Sequence, residues 1–344
     1  MRNVIFIILG TALILKTLYE LLADSVVGQD FLLQQIGQRI MQPPAAKADG
    51  LHVYMCGTAS PLPAPSRAQA CVAILTPEHY FIVDAGSGSA NNLGLEALPA
   101  DTLDGIFLTH FHSDHITDVP AINLVSWASG RASPLNIYGP PGIETVVDGF
   151  NLAMTYDRRH RTDHHGADLL PPSIGIMNAV EHGLEARLSF GDLEVTAFTA
   201  DHSPVSPAVS YRFDYKGRSV VVTGDTLVTP RLEAMSTGVD LLLSDALSVP
   251  IVQTIEASNR AGGNLRLASI LEDIQDYHAH TDDVIALTKR ADIGMTGLYH
   301  LVPAPRNDIM RRVFQRGFPK NMILTNDRMW FELPVGSDTI KVID

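Results

Sequence analysis

Cysteine is scarce in this chain of 344 residues, which holds two cysteines and no C-x-x-C spacing. The scarcity excludes a cysteine-rich metal site and a disulfide scaffold. Cys56 and Cys71 lie in what look like neighbouring strands. In an exported chain they would form one disulfide, and two buried thiols are the alternative that the sequence leaves open.

Basic residues are also few, with 25 Lys and Arg against 38 Asp and Glu and a net charge of −13. Proteins that hold nucleic acid phosphates do so with clustered Lys and Arg, so the charge counts against a nucleic acid partner. One local exception is the basic group Arg158, Arg159 and Arg161. This basic group is too short to bind a nucleic acid duplex but could bind a small anion. The alternative is an ordinary solvated loop.

No hydrophobic run is long enough to span a bilayer comfortably. The apolar run from Val4 to Leu15 follows Arg2 and is interrupted by Lys16, and no A-x-A cleavage site comes after it. We predict that residues 1–23 are a signal peptide or an uncleaved membrane anchor, so that the protein is periplasmic or faces the periplasm from the membrane. A buried amphipathic helix is the alternative.

Long polar tracts are absent, and hydrophobic residues make up 46% of the chain, which excludes a disordered protein. Residues 24–50 read as a helical spacer that ends near the breaker PPAA. From residue 51 to 344, short β-type runs such as LHVYMCG, YFIVDAG and SVVVTGDT alternate with helical patterns at 282–290 and 306–315. This alternation predicts an α/β domain of two packed sheets flanked by helices, a four-layer αββα body.

Four potential metal ligands stand within six residues of one another. The segment THFHSDH follows the apolar run GIFL, as expected of a strand that ends at the edge of a sheet. His110 and His112 can reach one ion, while Asp114 and His115, further around the turn, can face a second. Imidazole and carboxylate groups suit zinc and similar divalent ions.

Three further ligands follow other apolar runs. His202 comes after LEVTAFTAD, Asp225 lies in SVVVTGDT, and His300 closes GMTGLYH. Strand ends bring side chains to a shared pocket, so His202 can complete the first ion, His300 the second, and Asp225 can bridge both. Asp201 and Asp245 are the nearest alternatives to His202 and Asp225.

In this order the ligands resemble the binuclear signature of the metallo-β-lactamase superfamily. The resemblance covers about residues 51–344 and includes VDAGSGSA, with its Asp84-Ala85-Gly86 turn. It is strongest to the ribonuclease Z and arylsulfatase-like branch, since DYHAHTDD places His278 where that branch carries a histidine motif. Ala279 and His280 depart from the hydroxyl residues usual there, and a surface histidine is the alternative for His278.

The resemblance implies a hydrolase with two divalent ions, Zn²⁺ first and Mn²⁺ or Fe as alternatives. Ions about 3.5 to 4 Å apart lower the pKa of a bridging water, so that hydroxide attacks the substrate. Asp114 and His278 are the catalytic candidates. We predict a phosphodiester or sulfate ester substrate, with Arg158 and Arg306 as contacts for the anion.

Other activities of the same fold stay open. A lactonase or another acyl hydrolase would use the same ligands, whereas true β-lactamases lack the carboxylate of Asp225. An iron oxidoreductase is less favoured, because His112 stands where the di-iron branch has Glu. The acidic charge and the predicted export favour a small-molecule ester over nucleic acid, with membrane attachment through the N-terminal segment and a homo-oligomer both open.

Overall fold

Two helices form the N-terminal part of the chain in the computed structural model, which describes residues 2–40 and 48–344. They are α1 (Arg2–Ala23) and α2 (Val26–Ile40). Ser25 caps the start of α2, since its Oγ accepts a hydrogen bond from the backbone N–H of Gly28 at 3.0 Å. Within the described ranges, no helix combines the length and the apolar character needed to cross a membrane.

The chain divides into two compact units between residues 46 and 47. The predicted boundaries at residues 23 and 50 stay predictions, as does the role of residues 1–23 as a signal or anchor. In the second unit the described residues form two sheets. The strands are β1 (Gly50–Gly57), β2 (Cys71–Leu75), β3 (Tyr80–Val83), β4 (Gly105–Phe107), β5 (Leu135–Gly139), β6 (Met177–Glu181), β7 (Ala186–Phe190), β8 (Leu193–Thr199), β9 (Val209–Tyr215), β10 (Arg218–Val222), β11 (Leu241–Leu247), β12 (Met295–Val302), β13 (Met322–Leu324), β14 (Trp330–Pro334) and β15 (Lys341–Ile343).

Helices cover the outer faces of both sheets. They are α3 (Ser89–Leu95), α4 (Ser113–Ile116), α5 (Val119–Ala128), α6 (Ile143–Ala153), α7 (Thr155–His165), α8 (Pro230–Ser236), α9 (Val249–Ala261), α10 (Leu265–Asp273), α11 (Thr281–Arg290) and α12 (Asp308–Phe314). The first sheet has the order β15-β14-β1-β2-β3-β4-β5-β6, and the second β13-β12-β11-β10-β9-β8-β7. The predicted αββα architecture is confirmed.

Aromatic side chains fill the space between the two sheets. The ring of Phe107 on β4 stacks on Tyr138 of β5 at 4.6 Å between centroids and meets Tyr211 of the opposite sheet at 5.1 Å. Phe107 and Tyr211 are fully buried. Burial of each such side chain contributes on the order of 1.5–3 kcal/mol, so this core holds the sheets face to face.

Parallel pairing brings several strand ends to one edge of the sandwich. β3 pairs in parallel with β4 in the first sheet, and β10, β11 and β12 run parallel in the second. Carboxyl ends of parallel strands lie at the same edge, where α/β folds place their ligands. All of the sequence-predicted ligands except His202 follow or lie on these strands. His202 follows β8, which pairs with antiparallel neighbours.

A disulfide joins Cys56 of β1 to Cys71 of β2, across 15 residues of sequence. Both cysteines are fully buried, so the pairing that the sequence left open is present as a bond between neighbouring strands.

Removal of this disulfide should destabilise the fold. The double variant Cys56→Ala with Cys71→Ala is expected to lose about 3 kcal/mol of unfolding free energy, because a loop of this length no longer restricts the unfolded chain. Urea unfolding with and without reductant measures this loss. Reductant should lower the unfolding free energy of the parent protein and leave that of the variant unchanged. Two titratable thiols in the denatured, unreduced parent would contradict this prediction.

Candidate metal centre

The THFHSDH segment is placed by the end of β4 and the single helical turn α4. His110 is fully buried directly beyond β4, and α4 carries Asp114 and His115, which are also buried. His112 precedes α4 and is the most accessible of the four. The turn therefore points His110 and His112 toward one group of side chains and Asp114 and His115 toward another.

One group of ligand atoms consists of three histidines and an aspartate. His112 Nδ1 lies 3.0 Å from His110 Nε2 and 3.5 Å from His202 Nε2. Asp225 Oδ2 lies 3.7 Å from His110 Nε2 and the same distance from His202 Nε2. All four ligand atoms fall within 4.8 Å of one another, a spacing that suits a shared cation.

A second group lies on the other side of Asp225. Asp114 Oδ2 is 3.1 Å from His300 Nε2 and 3.5 Å from His115 Nε2. Asp225 reaches this group with both oxygens, Oδ2 at 3.4 Å from His115 Nε2 and Oδ1 at 3.3 Å from His300 Nδ1. The Asp225 carboxylate thus stands between the two groups, where a bridging ligand would stand.

Buried polar atoms without partners test whether these residues fit a metal. Among the described residues, His115 Nε2, Asp225 Oδ1 and His300 Nδ1 are buried, and their contacts at 3.3 Å to 3.5 Å do not have the geometry of hydrogen bonds. Such atoms destabilise a fold unless something else binds them. Nitrogen and carboxylate oxygen together are the donor set of zinc, so the residues present fit divalent metal ions.

The charge state of the first group also favours a cation. Burial lowers the pKa of His202 to about 4, and burial with the neighbouring His115 lowers the pKa of His110 well below its ordinary value. Both are neutral at pH 7, the form that binds metal. Burial acts to raise the pKa of Asp225, but His300 and His115 outweigh it and hold that pKa well below its usual range, so the carboxylate is ionised.

Asp84 orients one of these ligands and was not recognised as a functional residue from the sequence. Its Oδ2 accepts a hydrogen bond from His115 Nδ1 at 2.8 Å, and its Oδ1 accepts from the backbone N–H of Thr109 at 2.9 Å. The hydrogen bond from Nδ1 to Asp84 turns His115 Nε2 toward the cluster. Asp84 adopts φ 57°, which turns it out of β3 toward the histidine. Its place directly after a buried strand was the available sequence signal.

His300 reaches the cluster through an irregularity of β12. It does not follow the strand, as the sequence suggested, but lies within it at φ 41°, where the register with β11 shifts around Asp245. A bulge of this kind re-aims a side chain, and a left-handed non-glycine residue costs about 1–3 kcal/mol. Packing of β12 against its neighbours holds this conformation.

Gly224 sets the direction of Asp225 after β10. It adopts φ 60°, and a Cβ at this position would lie 2.7 Å from Cβ of Thr109. Only glycine satisfies both constraints, since side chains disfavour this φ and this contact. The Gly224-Asp225-Thr226 order therefore has a steric basis.

His278 is a buried neighbour of the cluster and not a surface histidine. It is 5% exposed, and its ring centroid lies 5.2 Å from that of His202 and 5.4 Å from that of His300. Its Nδ1 lies 3.1 Å from Asp245 Oδ2. Asp245, which the sequence suggested only as an alternative to Asp225, is fully buried and also accepts from the backbone N–H of Ala279 at 3.3 Å. Asp245 thus orients His278.

The remaining candidate residues from the sequence make no contact with these two groups among the described contacts. Asp201 is exposed, and Arg306 donates to the Pro63 carbonyl oxygen at 2.7 Å. The segment of Arg158 is the helix α7 and not a loop, and Arg158 donates to the Asn151 carbonyl oxygen at 3.4 Å. Among the described contacts, neither arginine meets a ligand of the cluster.

Comparison with known proteins identifies the family. Residues 79–301 match the model of the beta-lactamase superfamily domain. Ribonuclease Z of Mycobacterium bovis is 32% identical over 259 residues, which cover 74% of this chain and 87% of that protein, and ribonuclease Z of Mycobacterium avium is 30% identical over 257 residues, with the same coverage.

Solved structures share the fold. The metallo-beta-lactamase fold protein YhfI of Bacillus subtilis superposes with a TM-score of 0.60 at 18% identity, over 83% of this chain and 99% of that one. The short form of human tRNase Z gives 0.57 at 19% identity, over 82% and 99%.

The expected partners were wrong. The sequence favoured a small-molecule ester and disfavoured nucleic acid, whereas the relatives are ribonucleases. The net charge of −13 sums over the whole surface. It does not describe the field at one edge of the sandwich, to which metal ions held there would add positive charge. The family match, the relatives and the cluster of nitrogen and carboxylate ligands agree, and the chain belongs to the metallo-β-lactamase superfamily, as a ribonuclease Z-like metal-dependent hydrolase.

Proposed function

We propose that this protein hydrolyses phosphodiester bonds in RNA with two divalent metal ions, in the first place Zn²⁺. The observation that carries the proposal is the position of Asp225, whose two oxygens face ligand groups on both sides. The ribonuclease Z relatives supply the substrate class.

Each ion would be held by its own set of ligands. His110, His112 and His202 would hold the first, Asp114, His115 and His300 the second, and Asp225 would bind both. When bound, the ions lower the pKa of water toward neutrality and neutralise charge on the phosphoryl oxygens. The strand ends and the Asp84 contact fix these ligands before substrate arrives, which removes a reorganisation cost.

The protein's own groups would manage the protons of the reaction. His278 Nδ1 faces Asp245, so Nε2 is the nitrogen left to protonate the leaving oxygen. Asp114 Oδ2 is occupied by His300 at 3.1 Å, and its other oxygen would orient the attacking water. Asp114 and His278 therefore take the two catalytic roles.

A labelled RNA oligonucleotide with a 3′ extension provides the direct test. The full chain loaded with Zn²⁺ or Mn²⁺ should cleave it and should also hydrolyse bis(p-nitrophenyl) phosphate. If the protein hydrolyses neither substrate but opens a lactone, the proposal is wrong and the protein is an acyl hydrolase.

Metal content is a separate prediction. The loaded protein should contain two ions per chain by elemental analysis, and dialysis against a chelator should abolish hydrolysis because no side chain of the site is a competent nucleophile without them. Added Zn²⁺ should restore it. One ion per chain at full activity would contradict the bridging role of Asp225, and bound iron with a visible absorption band would point to an oxidoreductase.

We also propose that the protein is exported or membrane-anchored. The buried disulfide between Cys56 and Cys71 supports this, because such bonds persist in oxidising compartments, and so does the apolar start of the chain. Fractionation of cells that express the full chain is the test. Recovery with cytosolic enzymes and two free thiols would contradict it.

A further inference from the structure

A third set of potential ligand atoms lies beside the two groups of the metal centre. It consists of Asp225, Asp245, His278 and His300, whose ligand atoms fall within 4.8 Å of one another. All four side chains are buried, and the most accessible of them, His278, is 5% exposed. Asp245 and His278 belong to neither of the first two groups, so this set has two ligands of its own.

The third set lies on a different side of His300 from the second ion. His300 Nε2 is 3.1 Å from Asp114 Oδ2, whereas its Nδ1 is 3.3 Å from Asp225 Oδ1. Asp225 Oδ2 is the oxygen close to histidines of both earlier groups, at 3.7 Å from His110 Nε2 and 3.4 Å from His115 Nε2. Oδ1 of Asp225 is therefore free to face a further ion.

Buried atoms without hydrogen bonds concentrate in this set. Among the described residues, Asp225 Oδ1, Asp245 Oδ1 and His300 Nδ1 are buried and make no hydrogen bond. The other oxygen of Asp245 accepts from the backbone N–H of Ala279 at 3.3 Å and lies 3.1 Å from His278 Nδ1. A buried carboxylate oxygen without a partner is costly unless a proton or a cation binds it. Carboxylate oxygen and imidazole nitrogen together suit Zn²⁺.

We propose that Asp245, His278 Nδ1 and Asp225 Oδ1 form a third divalent cation site, with His300 Nδ1 beside them, and that an ion bound there inhibits the enzyme. The inhibition rests on the proposed function, because it acts through His278 as the proton donor. The third ion binds more weakly than the other two, since like charges already bound nearby repel it.

The inhibition follows from the proton inventory of the His278 ring. An ion on Nδ1 displaces the proton that otherwise lies toward Asp245, and that proton goes to solvent. The ring keeps a proton on Nε2, but its transfer to the leaving oxygen would now produce an imidazolate in place of a neutral imidazole. Excess Zn²⁺ should therefore lower the cleavage of RNA by about 10²-fold, the lower end of the contribution of a general acid. Hydrolysis of bis(p-nitrophenyl) phosphate, whose leaving group needs no proton, should keep most of its rate.

Counting bound ions tests the site without reference to activity. The full chain is dialysed to equilibrium against graded concentrations of free Zn²⁺, and its metal content is measured by elemental analysis. The parent protein should bind two ions first and a third at higher concentration. Asp245→Asn and His278→Ala should keep the first two ions and bind one ion fewer than the parent at the highest concentrations. His280→Ala is the control and should match the parent, because His280 Nε2 bonds to the Gln275 carbonyl oxygen.

The possible outcomes separate this site from the proposed function. Equal uptake by the parent and both ligand variants would overturn the third site, and equal inhibition of both substrates by excess Zn²⁺ would overturn its action through His278. If neither substrate is hydrolysed but the ligand variants bind one ion fewer, the site is supported and the proposed function is wrong. His278→Ala decides the question even if Asp245→Asn fails to fold.

Discussion

Asp225→Ala is expected to reduce hydrolysis of phosphodiesters by roughly 10³-fold or more while the protein remains folded. The reason is its position between the two ligand groups, 3.4 Å from His115 Nε2 and 3.7 Å from both His110 Nε2 and His202 Nε2. Metal ions contribute several kcal/mol of charge stabilisation in such reactions, and each 1.36 kcal/mol is tenfold in rate. Loss of the shared ligand should remove most of that contribution.

Asp201→Ala is the matched control for Asp225→Ala. Asp201 precedes His202, is exposed, and accepts only from the backbone N–H of Ser203 among the described side-chain contacts. Its removal should leave the rate and the metal content near those of the parent. Elemental analysis, circular dichroism and initial rates should be measured on both variants. An Asp225→Ala protein that keeps two ions and the parent rate would refute the bridging role.

His278→Ala should lower the cleavage of RNA by about 10²–10⁴-fold, the usual contribution of a general acid, with the metal content unchanged. Asp245→Asn should act in the same direction, because Asp245 Oδ2 holds His278 Nδ1 at 3.1 Å and an amide does not stabilise a protonated ring.

The leaving group separates protonation from a structural role. p-Nitrophenolate departs without a proton, whereas a ribose oxygen requires one. Both variants should therefore lose much less activity on bis(p-nitrophenyl) phosphate than on RNA. His280→Ala is the control, since His280 Nε2 bonds to the Gln275 carbonyl oxygen and lies two residues from His278. Equal losses of activity on the two substrates would show that His278 supports the fold and does not protonate the leaving group.

The local ligand cluster was predictable because chain continuity fixes it. His110, His112, Asp114 and His115 follow one strand and share one turn, so their neighbourhood depends on short-range geometry alone. The apolar runs likewise predicted the strands, since each must be buried on both faces. The family signature then gave the order of the distant ligands.

Contacts between distant parts of the chain were not predictable. The pairing of Asp245 with His278 spans 33 residues, and the left-handed conformations of Asp84 and His300 arise from packing around them. The disulfide, left open by the sequence, also depends on the register of two strands.

The sequence by itself determined the fold class and the types of candidate ligand, because hydrophobic periodicity and donor chemistry are local properties, and the family resemblance supplied the order of these candidates. The tertiary structure decided which carboxylate stands between the two groups and which one orients His278. These features depend on distances between strands that no local pattern encodes. Net charge did not predict the substrate for the same reason, since it does not say where on the surface the charged residues lie.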